Sequence, residues 1–173
     1  MNPRCTRGLG LGLVLVLTGC GSEEPIGLDL HGWGAEDADQ ILTAAAEWNQ
    51  ALDADVLVTG DEVQVLPRDD SGWVRELSDS LAGGFSVGVY LSDPPTVFLW
   101  RDVIDEHQYD LSYVAAHELG HLLGLDHLKS GVMFAGTQPG VMFECIDGVA
   151  VDAACGFVEC GPEAGSTCLE DQP

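Results

Sequence analysis

Residues 117–127 read His-Glu-Leu-Gly-His-Leu-Leu-Gly-Leu-Asp-His, and few folds can accommodate them. A four-residue spacing puts His117 and His121 on one face of a helix, one turn apart. Two imidazoles so placed can hold one zinc ion, and Glu118 beside them is placed to take a proton from water. Gly124 permits the left-handed backbone that ends a helix, and the chain can then fold back to offer His127 as a third nitrogen ligand. Three protein ligands with a fourth position open describe a catalytic zinc site, because structural sites are closed by four.

The pattern HExxHxxGxxH belongs to the metzincin metalloproteases, and residues 117–127 match it at every specified position. The string HELGHLLGLDH most resembles the matrixin branch, the matrix-metalloproteinase type. That resemblance implies an α+β catalytic domain: a twisted, mostly parallel sheet of about five strands with three helices, and an active-site cleft along an edge strand. It implies one catalytic zinc on His117, His121 and His127, with Glu118 as general base in peptide-bond hydrolysis. It also implies a tight turn after His127 that carries a methionine beneath the metal. Gly131-Val132-Met133-Phe134 and Gly140-Val141-Met142-Phe143 both offer one. Met133 is favoured, because a short turn returns directly under the site, and Met142 is the second choice. Neither is followed by the tyrosine common in matrixins.

The N-terminus reads as an export signal. Arg4 and Arg7 precede or flank an apolar run, Leu9 to Leu17, that is too short to span a bilayer comfortably. Leu17-Thr18-Gly19-Cys20 matches the bacterial lipobox, in which the cysteine is lipidated and becomes the first mature residue. Residues 1–19 are therefore expected as a lipoprotein signal peptide, 20–25 as a lipidated tether, 26–158 as the catalytic domain and 159–173 as a cysteine-containing tail. The protein is expected to be exported and membrane-anchored at Cys20, with Gly21 favouring the outer membrane over the inner. Pro3-Arg4-Cys5 resembles the zinc-blocking switch of matrixin pro-peptides, but it lies inside the signal and is read as coincidence.

Charge narrows the partners. The chain carries 6 basic and 29 acidic residues, a net charge of −23. Once the signal is removed, Arg68, Arg75, Arg101 and Lys129 are the only basic side chains left. Such a surface argues against nucleic acid or an anionic membrane surface as partner. It fits a monomer that acts on a basic or neutral protein or peptide. Asp69-Asp70-Ser71-Gly72 could serve as a calcium loop or as an ordinary turn.

Four cysteines cluster near the C-terminus, Cys145, Cys155, Cys160 and Cys168, which in an exported protein suggests two disulfides. Ile146, Val149, Ala150, Ala153, Ala154 and Phe157 form a helical stripe, so a last helix is expected over Asp147 to Phe157. Its length would hold Cys145 and Cys155 about 15 Å apart, beyond the roughly 7 Å that a bridge allows. Two pairings survive: Cys145–Cys160 with Cys155–Cys168, or Cys145–Cys168 with Cys155–Cys160.

Patterning supplies the other elements. Ile26, Leu28 and Leu30 alternate as a strand, and Ala38, Ile41, Leu42, Ala45 and Trp48 recur at helical steps over Ala35 to Leu52. Short strands are expected near Val56 to Val58 and Val63 to Leu66. Phe85, Val87, Val89 and Leu91 alternate, and Thr96 to Trp100 reads as a further strand. By resemblance, residues 85–91 are the candidate edge strand against which an extended substrate would pair, an internal strand being the other reading. Asp110 is placed to cap the zinc helix. These features together read as a zinc-dependent endopeptidase acting on extracellular or periplasmic proteins. The other reading is a non-catalytic lipoprotein binding module or adhesin on the same scaffold, against which an intact Glu118 weighs.

Overall fold

The computed structural model describes residues 24–68, 87–135 and 139–168. The signal, the lipobox with Cys20, the 69–72 loop and Phe85 lie outside the described residues. Five strands and four helices are described: β1 (Ile26–Asp29), α1 (Ala35–Leu52), β2 (Leu57–Thr59), β3 (Val63–Arg68), β4 (Gly88–Ser92), β5 (Pro95–Trp100), α2 (Arg101–His107), α3 (Leu111–Leu122) and α4 (Gly148–Ala154).

The strands form one sheet in the order β2-β1-β3-β5-β4. The β1–β2, β1–β3 and β3–β5 pairs are parallel, and only β4 runs antiparallel, against β5. β5 lies inside the sheet, and Val97, Leu99 and Trp100 of its nearly continuous apolar run are buried. The sheet is the mostly parallel α+β architecture expected, and β4 closes one of its edges.

One face of α1 is apolar at steps of three and four, and it buries Ile41, Ala45, Trp48 and Leu52. These side chains meet Leu28, Val65 and Val97 of the sheet and Val114 and Leu119 of α3 in a single core. Asn49 fixes the return from α1 to β2: its Oδ1 accepts from the backbone N–H groups of Val56 (3.0 Å) and Leu57 (2.9 Å). Its Nδ2 donates to the Leu57 carbonyl at 2.7 Å.

Two elements differ from expectation. Three helices were expected, and α2 is a fourth. It has seven residues and buries only Val103 and Ile104, too little to show a helical period in the sequence. The last helix was expected to run to Phe157, but α4 stops at Ala154. Phe157 is 62% exposed and lies off the stripe that Ile146, Ala150 and Ala154 bury. The physical reason is the bridge from Cys155 to Cys160, which turns the chain immediately after the helix.

The second bridge joins Cys145 to Cys168, so the pairing is the second of the two left open above. Between the bridges the tail is bonded to the rest of the domain. Gly161 and Gly165 donate to the carbonyls of Leu52 (2.9 Å) and Ala51 (2.8 Å), two acceptors that the end of α1 would otherwise leave unpaired. Ile146 and Thr167 exchange two further bonds.

Candidate metal centre

Helix α3 starts as its sequence requires, with the Asp110 side chain accepting from the Tyr113 N–H at 3.0 Å. Its end builds part of the site. Gly124 has φ +93°, which L side chains adopt at a cost of about 1–2 kcal/mol. Gly124 N–H bonds the His121 carbonyl and Leu125 N–H bonds the Gly120 carbonyl, each at 3.0 Å. This is the paired-bond stop that a left-handed residue allows. The same reversal aims the Leu125 carbonyl at His121, whose Nδ1 lies 2.7 Å away. On the other side, His117 Nδ1 lies 2.8 Å from the Val132 carbonyl.

These two contacts decide the tautomers. A carbonyl can only accept, so each Nδ1 carries the proton and each Nε2 of the neutral ring presents a lone pair. The Nε2 atoms nevertheless crowd together: His121 Nε2 lies 3.2 Å from His117 Nε2 and 3.3 Å from His127 Nε2. Lone pairs do not bond one another. Tetrahedral ligands at zinc–nitrogen distances of 2.0–2.1 Å stand about 3.3 Å apart, so the triad has the dimensions of a zinc site. All three ligating atoms lie within 4.8 Å of one another. His117 is buried, His121 partly buried and His127 exposed, which leaves the triad open on the His127 side.

Electrostatics agree with the geometry. Burial, with the neighbouring histidines assisting, pushes His117 down to about 4, and His127 is lowered for the same reasons. Neutral rings are what a metal requires. Glu118 is 5% exposed, and burial pushes its carboxyl up to about 8 although the Tyr90 backbone of β4 acts in the other direction. A cation held between the histidines would favour the ionised carboxylate.

Met133 is fully buried, whereas Met142 is 66% exposed. Met133 Sδ sits against Gly120, where any Cβ would overlap it, so the glycine before His121 is what admits the methionine under α3. The turn is fixed by a bond from Leu128 N–H to the Met133 carbonyl at 2.9 Å. Asp147 reinforces it, accepting from Val132 N–H at 3.2 Å while its other oxygen caps α4. Helix α1 supports α3 from behind, because Trp48 Nε1–H donates to the carbonyl of Ala116, the residue before His117, at 2.9 Å.

The family model for Matrixin matches residues 30–142, more than half of the chain. The chain belongs to the matrixin family. No curated protein sequence matches it. Family and triad together make this matrixin a protein of the zinc metalloprotease type.

In this matrixin the sequence-expected His117, His121, His127 and Glu118 come together, with Met133 in the turn that follows. Met142 does not join them. It borders a cavity of 780 Å³ beside the turn, with Tyr113, Phe134, Phe143 and the paired Cys145 and Cys168. Sequence reasoning missed Gly120, Gly88, Trp48 as a donor to α3, and Asp147 as a brace. Only Asp147 carried a signal, since an aspartate before a helix was already marked as its start.

Proposed function

We propose that this matrixin is a zinc-dependent endopeptidase that hydrolyses peptide bonds of extracellular or periplasmic proteins. The observation that carries this reading is the convergence of three histidine Nε2 atoms, two of them fixed as lone-pair donors by backbone carbonyls, at the helix that carries a buried glutamate. Bound zinc supplies Lewis acidity towards a carbonyl and brings the pKa of water towards neutrality. His117, His121 and His127 would hold it, oriented by the Val132 and Leu125 carbonyls. Glu118 accepts the proton of the attacking water and returns it to the leaving nitrogen. Edge strand β4 offers its outer backbone groups to an extended peptide. The exposed apolar groups Phe134 and Met142 beside the cavity suit an apolar side chain of that peptide.

A binding module without activity has no use for a buried carboxyl at the triad, and this weighs against the second reading. The deciding experiment replaces Glu118 with alanine. Hydrolysis of a peptide library should fall by about 10²–10⁴-fold while the protein still binds about one zinc per chain. His121→Ala should lose both metal and activity. Near-normal cleavage by the Glu118 variant would sink the mechanism.

The lipobox supports export and anchoring at Cys20, in the outer membrane over the inner, and the acidity supports a basic or neutral substrate and a monomer without nucleic acid. A fatty-acid analogue fed to growing cells should label the protein and spare Cys20→Ser. A mature N-terminus at any other residue would overturn the assignment.

A further inference from the structure

A glycine inside a strand weakens it, and it commonly marks a place where another group approaches closely. Gly88 is such a residue. It opens β4 and pairs in register with Leu99 of β5. Its backbone is not in the left-handed region, so conformation alone does not call for glycine. Space does. A Cβ built at Gly88 would lie 2.6 Å from Glu118 Cγ, 2.7 Å from its Oε1 and 2.9 Å from its Cδ. All three nearest atoms belong to the one side chain, and turning the carboxylate alone would not clear Cγ. On the same strand, the Tyr90 backbone faces that carboxylate and favours its ionised form. Glu118 therefore packs against the β4 backbone and is admitted there by a missing side chain at residue 88.

We propose that Gly88 is a positioning residue for Glu118: the gap in β4 is the niche that seats the Glu118 side chain, and the size of residue 88 sets where its carboxylate lies relative to the histidines. Its consequence for catalysis rests on the reading of Glu118 as the proton carrier, but the seating itself does not.

The test uses the full mature chain in four forms: unchanged, Gly88→Ala, Glu118→Ala and the double variant. Melting is first measured with a chelator present. A Gly→Ala change at a compatible backbone position stabilises when nothing clashes, because it restricts the unfolded chain. Gly88→Ala should therefore lower the melting temperature, by about 4 °C or more, while Glu118 is present. It should leave the melting temperature unchanged or raise it once Glu118 is alanine. If the single variant does not accumulate in folded form, folding of the double variant supports the proposal and failure of both overturns it. An equal shift in both backgrounds also overturns it, because the two residues would then be independent.

Activity is measured next on the zinc-loaded forms. Gly88→Ala should lose about 10–100-fold in kcat with KM within about twofold and zinc content unchanged, the pattern of a displaced proton carrier. An unchanged kcat overturns the positioning role. If the unchanged protein hydrolyses no peptide, the endopeptidase reading fails, while the melting cycle still decides the seating.

Discussion

Glu118 and His117 are neighbours in sequence whose burial acts on them in opposite directions, and this gives the metal-free protein a particular pH dependence. The folded Glu118 carboxyl titrates near 8 instead of 4.5, and the folded His117 near 4 instead of 6.5. Between pH 4.5 and 6.5 the folded chain keeps a proton on Glu118 that the unfolded chain releases, and lacks one on His117 that the unfolded chain carries. The two slopes oppose, and His127, also lowered, acts with His117. Above pH 6.5 the unfolded chain's protons on His117 and His127 are progressively lost, and the opposing slope of Glu118 takes over. The folded state then binds more protons, so stability falls as pH rises, by at most about 1.4 kcal/mol per unit and by roughly 1 kcal/mol in all from 6.5 to 8. Urea denaturation in chelator at those two pH values should show the loss in the unchanged protein and not in Glu118→Gln. A loss of the same size in Glu118→Gln would assign it elsewhere.

Those two residues, with His121 and His127, were legible because their chemistry depends on spacing within one short segment. Gly88 and Gly120 were not. Each is glycine because a side chain from a distant part of the chain comes close, Glu118 in one case and Met133 in the other. Nothing local in SVGVY or HELGH records which neighbour will arrive. Met133 and Met142 sit in identical tetrapeptides, so only the length of the turn separated them in sequence. In the fold, burial separates them completely.

Among the elements, α1 was read with its observed bounds because eighteen residues give five turns of period. Helix α2 escaped because seven residues give two. Helix α4 was drawn too long because Phe157 falls in phase with a stripe that the Cys155–Cys160 bridge cuts short. The mostly parallel sheet came from resemblance and its strand order was not legible, since alternation identifies strands but not their partners. The bridges carry the prediction here. Cys145–Cys168 closes a loop with a separation of 23 residues and Cys155–Cys160 one of 5. Reduction should therefore cost about 3 kcal/mol through the longer loop and about 2 kcal/mol through the shorter one. Hydrogen exchange after reduction should show the amides of Gly161, Gly165 and Thr167 opening first and those of α3 later. Simultaneous opening of both would show that tail and zinc helix form one cooperative unit.

At the scale of the whole molecule, the end of α1 meets the segment that follows α4, far along the chain. The last carbonyls of α1 are satisfied by Gly161 and Gly165, and Glu163 N–H bonds Asp53, 110 positions away along the chain. Helix α1 also braces α3 through Trp48 and Ala116. A ribosome delivers residues in order, at about 5–20 per second, so the Ala51 and Leu52 carbonyls at the end of α1 wait for their partners until Gly161 and Gly165 have emerged. A nascent or truncated chain can carry every histidine of the triad and still lack the segment that completes the helix behind it. The support that α1 gives α3 is therefore completed late in synthesis, after every histidine of the triad is already present.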